Sequence, residues 1–226
     1  MQEFYPKLGS VLDAMLVVKH PKGIGSPCIC KRDGAVRTCY CFDCDYFESC
    51  CSDCFRQHHR LIPLHWVHMW NGRFLEKKDI SHIGHFITFG HDSLGNPCPH
   101  ARSAIDFIIV HVNGVHQTKA LFCACIGRKR DRFDQLLQSQ VFPATVRLPE
   151  TGFTFRLLED FHLQTLTSKK TPYDYLSAIR QKTSSPFLDD VPVGPILDVA
   201  IPPLIFLRIH ILNFSEYNGY GACSKV

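Results

Sequence analysis

No uninterrupted apolar run long enough to cross a bilayer occurs in this chain of 226 residues. Its most apolar stretch, "VPVGPILDVAIPPLIFLRIHILNF", is broken by prolines at 195, 202 and 203 and by Asp198, Arg208 and His210, which excludes a free-standing transmembrane helix and a membrane partner. A strong charge imbalance is also missing. The net charge of +4 and pI near 8.4 fall short of the basic balance of a dedicated nucleic-acid module. The opening "MQEFYPKLGSVLDAMLVVKH" lacks a secretory leader's features: it begins acidic, carries Asp13 inside its apolar stretch and has no small-residue cleavage site. An oxidising destination is therefore not expected, and cysteines beside histidines read as zinc ligands more readily than as disulfides.

Cysteine is what the chain has in excess. Eight of its twelve cysteines lie between Cys28 and Cys54, followed at once by His58 and His59. A chain of this length buries enough apolar surface to fold unaided, so the crowding marks a small subdomain that lacks a core of its own. Zinc takes four Cys or His ligands in a tetrahedron, delivered most economically as pairs on short knuckles. The pairs here are Cys28 with Cys30, Cys41 with Cys44, Cys51 with Cys54, and His58 or His59 with His65. Interleaved as in cross-brace folds, Cys28, Cys30, Cys51 and Cys54 form one site, and Cys41, Cys44, His58 and His65 the other. A linear pairing of neighbours stays open, as does substitution by Cys39 or Cys50. A weaker set follows downstream, His91, Cys98, Cys123 and Cys125, with His100 and His116 as substitutes. Two or three structural zinc ions are expected. Closed sets of this kind leave no position for a reacting water, so no catalytic residue is assigned.

The pattern changes after the cluster. "KHPKGIGSPC" supplies the Pro/Gly punctuation of a boundary. The organisation expected is an N-terminal segment 1–25, a cysteine/histidine module 26–68, an α+β continuation 69–185 and an irregular tail 186–226. In "AIDFIIVHVNGVHQTKALFCACIG" two β-rich runs flank Asn113 and Gly114, the signature of a hairpin closed by a type I′ turn. "RDRFDQLLQSQ" and "ETGFTFRLLEDFHLQTL" have helical spacing, "FPATVRLP" between them reads as extended, and "TPYDYLSAIRQK" opens with Thr171 as N-cap and Pro172 at the first helical position. The fold class is α+β, a small zinc-stabilised module followed by a hairpin-containing region. The basic run Arg128, Lys129, Arg130 and Arg132 is the candidate for phosphate contacts.

The motif order carries a resemblance. The CxC and CxxC pairs, then "CSDCFRQHHRLIPLHWVHMWNGRFL", "FGHDSLGNPC", "FIIVHVNGVHQTKALFCAC", "QLLQSQVFPAT" and "TFRLLEDFHLQTLTSKKTPYDYL" are similar to the CxC-type (CxC2-like) cysteine cluster associated with KDZ transposases of fungal genomes, over about residues 26–185. The resemblance implies zinc binding by Cys41, Cys44, Cys51, Cys54 and His65 and by His91, Cys98, Cys123 and Cys125. It also implies DNA recognition or assembly of the element's protein, and a nuclear location. Departures are Val141 where an aromatic is expected, Gly152 in place of alanine, and His111 in place of aspartate. The chain ends where the family's catalytic region would begin, and Asp106, Glu159 and Asp160 are its only suggestive acids, so an enzyme is not expected. The alternative is a B-box-like or ZZ-like module for protein interaction or self-association, since those folds share the order CxxC, CxxC, His, His.

Overall fold

The computed structural model describes residues 2–18, 21–45, 47–91, 95–126 and 131–183. The chain divides into two compact units, the first Met1–His85 and the second beginning at Phe86. The expected tail 186–226 lies outside the described residues.

The first unit opens with a 3-10 turn, Gln2–Lys7, that runs into helix α1, Leu8–Val18. Strand β1 (Cys39–Tyr40), helix α2 (Ser52–His58), strand β2 (Val67–Trp70) and strand β3 (Leu75–Lys78) follow. The three strands form an antiparallel sheet in the order β1-β2-β3, with Cys39 opposite Met69 and Val67 opposite Lys78. Because β2 pairs on both sides, residues 67–78 pair with the cysteine-bearing strand β1 within the first unit, which runs to His85. Six of the ten buried residues in its core are cysteines; Phe55, Val67, Ile80 and Ile83 are the rest. So few apolar side chains contribute little against the entropy of ordering this segment, so an ion bound by the sulfurs would contribute to folding.

The second unit has an ordinary apolar core. Strands β4 (Ile87–Phe89), β5 (Ile105–His111) and β6 (Gly114–Phe122) precede helix α3 (Arg132–Gln138), strands β7 (Val141–Pro143) and β8 (Thr151–Thr154), and helices α4 (Phe155–Ser168) and α5 (Pro172–Thr183). The sheet order is β4-β6-β5-β8-β7, with β4 parallel to β6 and β5 parallel to β8. Leu157, Leu158, Phe161, Tyr175, Leu176 and Ile179 of α4 and α5 pack on Val110, Val115 and Phe153 of the sheet. Thr154 caps α4, its hydroxyl accepting from Leu157 N at 3.3 Å, and Thr171 caps α5, accepting from Asp174 N at 3.1 Å with Pro172 as the first helical residue.

The α+β class is therefore as expected, with two local differences. The β5–β6 hairpin pairs His111 with Gly114, so its loop is Val112 and Asn113. Neither loop residue has positive φ, which rules out a type I′ turn; the positive angle falls on Gly114, at +147°, just after the loop. The segment "ETGFTF" begins as a strand and not as a helix, because Gly152 and Phe153 take parallel positions beside Ile109 and Val110. There the absence of a Cβ matters: one added at Gly152 would collide with Val141, so the paired departures Val141 and Gly152 accommodate each other across β7 and β8. Among the described residues no helix is long and apolar enough to cross a membrane.

Candidate metal centres

Three groups of four side chains converge, each with one donor atom per residue and all donors within 4.8 Å of one another. The first is Cys28, Cys30, Cys51 and Cys54. A tight turn delivers the CxC pair: Cys28 N donates to Ala35 O, Lys31 N to Cys28 O, and Lys31 takes a left-handed φ of +53°. Cys51 and Cys54 flank the first turn of α2. The Cys28–Cys54 and Cys30–Cys51 sulfur separations are both 3.9 Å. A disulfide would need about 2.05 Å. Tetrahedral zinc with Zn–S bonds of about 2.3 Å has sulfur–sulfur edges of about 3.8 Å.

Arg32 reaches from the first knuckle to the second. Its Nη1 donates to Asp53 Oδ2 at 2.7 Å, while Nη2 lies 3.7 Å from both Cys51 Sγ and Cys54 Sγ. Arg56 pairs with the other oxygen of Asp53. The Arg32 backbone N–H and guanidinium bring the Cys30 thiol down to about 6, whereas burial, then the hydrogen bond with Cys51, pushes Cys54 up to about 12. Four sulfurs this close cannot all ionise without a cation among them.

The second group is Cys41, Cys44, His59 and His65. Cys44 Sγ lies 3.4 Å from His59 Nε2 and 3.3 Å from His65 Nδ1, and Cys41 Sγ 3.6 Å from His65 Nδ1. The sulfur–nitrogen edge of a tetrahedral zinc is about 3.6 Å. His58, the residue expected here, is displaced by its neighbour. Helix α2 places Phe55 and His59 four residues apart on one face, so His59 turns inward, fully buried, and stacks on Phe55 at 3.9 Å, whereas His58 is exposed. His59 Nδ1 lies 3.1 Å from Phe55 O, which assigns the proton to Nδ1 and leaves Nε2 free to bind. Burial lowers the His59 pKa to about 4, keeping the ring in its neutral, ligating form. Asp43, between the two cysteines, accepts from Trp66 N at 2.7 Å and ties their knuckle to the residue after His65.

The third group is His91, Cys98, Cys123 and Cys125. Parallel strands β4 and β6 end in register, Phe89 beside Phe122, so His91 and the CxC pair leave the sheet side by side. His91 Nδ1 lies 3.7 Å from Cys123 Sγ and from Cys125 Sγ, and Cys98 Sγ is 3.5 Å from Cys125 Sγ. Buried Gln135 of α3 clamps the knuckle: its Oε1 accepts from Cys123 N at 2.9 Å and its Nε2 donates to Cys123 O at 3.1 Å. At Cys98, backbone N–H groups of Ala124 and His100 outweigh the burial that pushes the thiol up and bring it to about 7.

The structure thus brings together Cys28, Cys30, Cys51 and Cys54; Cys41, Cys44 and His65; and His91, Cys98, Cys123 and Cys125, with the first two groups interleaved along the chain. Each group could hold a metal ion. Cys39 and Cys50 join none of them; they face each other in an antiparallel bridge within the core. His116 is buried with Nε2 2.9 Å from Asn113 Oδ1, and His100 is exposed. Of the basic run, Arg128, Lys129 and Arg130 lie outside the described residues, and the Arg132 guanidinium sits 5.2 Å from the Phe122 ring. Sequence reasoning missed Arg32, Asp43 and Gln135. Only Arg32 and Asp43 carried a signal, each lying beside or inside a cysteine pair.

Comparison with family models supplies a name for part of the chain. Residues 80–186 match the CxC2 like cysteine cluster associated with KDZ transposases. That region is similar to the CxC2 family. No curated protein and no solved structure matches the chain. The CxC2 match contains the third metal group, whereas the first two groups lie before it, so the resemblance read from residue 26 onward is matched from residue 80.

Proposed function

We propose that the chain is a zinc-stabilised, non-catalytic recognition module of a KDZ-type transposase-related protein, fungal and nuclear, with DNA as its ligand. The observation that carries this reading is three closed four-donor groups in a chain whose residues 80–186 match the CxC2 family. The first offers four sulfurs, the second two sulfurs and two ring nitrogens, the third three sulfurs and one ring nitrogen. Thiolate-rich tetrahedral sets suit zinc, and four protein donors leave no open position, the pattern of a structural ion. The suggestive acids support the non-catalytic reading: Asp106 pairs with Lys119 at 2.9 Å, and Asp160 accepts from the Tyr175 hydroxyl at 2.6 Å. Among the described residues no carboxylate joins a metal-capable group.

DNA as the ligand rests on the transposase association and on the run Arg128, Lys129, Arg130 and Arg132. Native mass spectrometry of the reduced chain should find three zinc ions. Fluorescence anisotropy with mixed-sequence duplex should show affinity that falls steeply with salt, and neutralising Arg128, Lys129 and Arg130 to glutamine should flatten the log–log slope by about 3. No binding at low salt would remove DNA and leave the zinc reading standing. The interleaved first two groups favour a second reading, a B-box-like or ZZ-like protein-interaction module. A defined protein partner that survives nuclease treatment would select it.

A further inference from the structure

The segment that opens the first unit is unlike the rest of it. Every residue from Glu3 to Met15 is exposed, through the 3-10 turn Gln2–Lys7 and into α1. Among them Phe4, Tyr5, Leu8, Val11, Leu12 and Met15 are 69%, 74%, 53%, 45%, 51% and 58% exposed. Leu8, Val11, Leu12 and Met15 stand at i, i+3, i+4 and i+7, one face of α1, and Phe4 and Tyr5 lie exposed in the 3-10 turn that leads into it. Ser10 and Asp13 lie off it. Scattered exposed leucines need no explanation, but six large apolar side chains exposed together on one short segment, four of them on one helix face, do.

We propose that this stripe is a self-association surface, through which two copies of the chain pair α1 against α1. The area favours a second copy as the occupant. The exposed fractions amount to roughly 750 Å² on each chain, close to the 800 Å² or so per partner of a stable interface. An isologous contact lays a stripe on itself, so an uncharged stripe of uniform character is its own complement. Gly9 borders the stripe, and a Cβ built there meets nothing within 4 Å, so a second helix backbone can approach closely on that side. The proposal is independent of the metal centres and of the DNA reading.

Sedimentation equilibrium of the full, reduced, zinc-loaded chain over a wide concentration range tests it. The expected result is a monomer–dimer equilibrium, with the double substitution Leu8→Glu and Leu12→Glu raising the dimer dissociation constant by at least about 100-fold. Because both leucines are exposed, zinc content and far-UV circular dichroism should stay unchanged in that variant. A wild-type chain that stays monomeric throughout would overturn the proposal, and so would a dimer that survives the double substitution. Co-sedimentation of monomeric wild-type chain with phosphatidylserine vesicles, lost in the double variant, would overturn it in favour of a lipid surface.

Discussion

Gln135→Leu isolates the effect of a single buried side chain on a metal knuckle it does not join. The carboxamide is 3% exposed and makes two hydrogen bonds to the backbone of Cys123. Leucine fills a similar volume and removes both. Cys123 N keeps a second acceptor, Phe89 O at 3.1 Å, so its loss is partial. Cys123 O loses the Gln135 Nε2 donor in a buried setting, and an unpaired buried carbonyl costs about 1–3 kcal/mol. Together the expected cost is about 2–3 kcal/mol, and where it falls on the metal-bound knuckle it appears as a 10- to 100-fold weaker metal affinity at the third centre. Competition against a chromophoric zinc chelator resolves this: one of three ions should be released early while two are held as in wild type. Gly90→Ala offers an independent route to the same outcome, because a Cβ at Gly90, whose φ is +74°, would strike the Gln135 carboxamide. Equal retention of all three ions in a folded Gln135→Leu variant would refute the clamp.

Other perturbations separate neighbouring residues or states. His59→Ala should lower the zinc count by one in native mass spectrometry and His58→Ala should leave it unchanged; the reverse result would refute the inward assignment of His59. Arg32→Gln should speed zinc loss and thiol alkylation at Cys51 and Cys54 by about 10-fold, with Arg32→Lys only partly restoring wild type because a lysine lacks the fork that spans both sulfurs and Asp53. Identical alkylation rates in the three proteins would show that the guanidinium shields nothing. Burial lowers the His68 pKa from 6.5 to about 4, so between these values the unfolded chain binds more protons than the folded one. Stability should therefore fall by about 3 kcal/mol as pH drops through that window and the loss should shrink in His68→Gln, as read by urea unfolding of the metal-loaded protein. A pH dependence unchanged by the substitution would rule His68 out as its source.

Most donor atoms are legible in the sequence because metal-binding knuckles are local: a CxC or CxxC pair is close in space whenever it is close in chain. The pairing of knuckles is not, since only the path through β1, α2 and β2 decides which pairs meet. His58 and His59 are adjacent and chemically identical, and helix phase alone separates them: His59 follows Phe55 by four residues, toward the core. Gln135 leaves no trace, because a glutamine on a short amphipathic helix reads as a solvent-facing residue until the strand end it clamps is in view. The hairpin is readable from its two β-rich runs, but its loop is not, since Asn113 is also needed beside His116, where its Oδ1 lies 2.9 Å from Nε2.

The two units solve the same problem with different materials. In the first, cysteines occupy most of the core and hydrophobic periodicity is absent, so ions held between knuckles would supply the energy that fixes β1, α2 and β2. In the second, Phe153, Leu157, Phe161, Tyr175 and Ile179 build a sheet-and-helix core without help, and the third metal group stands at the strand ends, where β4 and β6 stop together. An ion there would not be needed to form the sheet; it would tie together the segments that carry His91, Cys98 and Cys123. That placement falls inside the residues that match the CxC2 family.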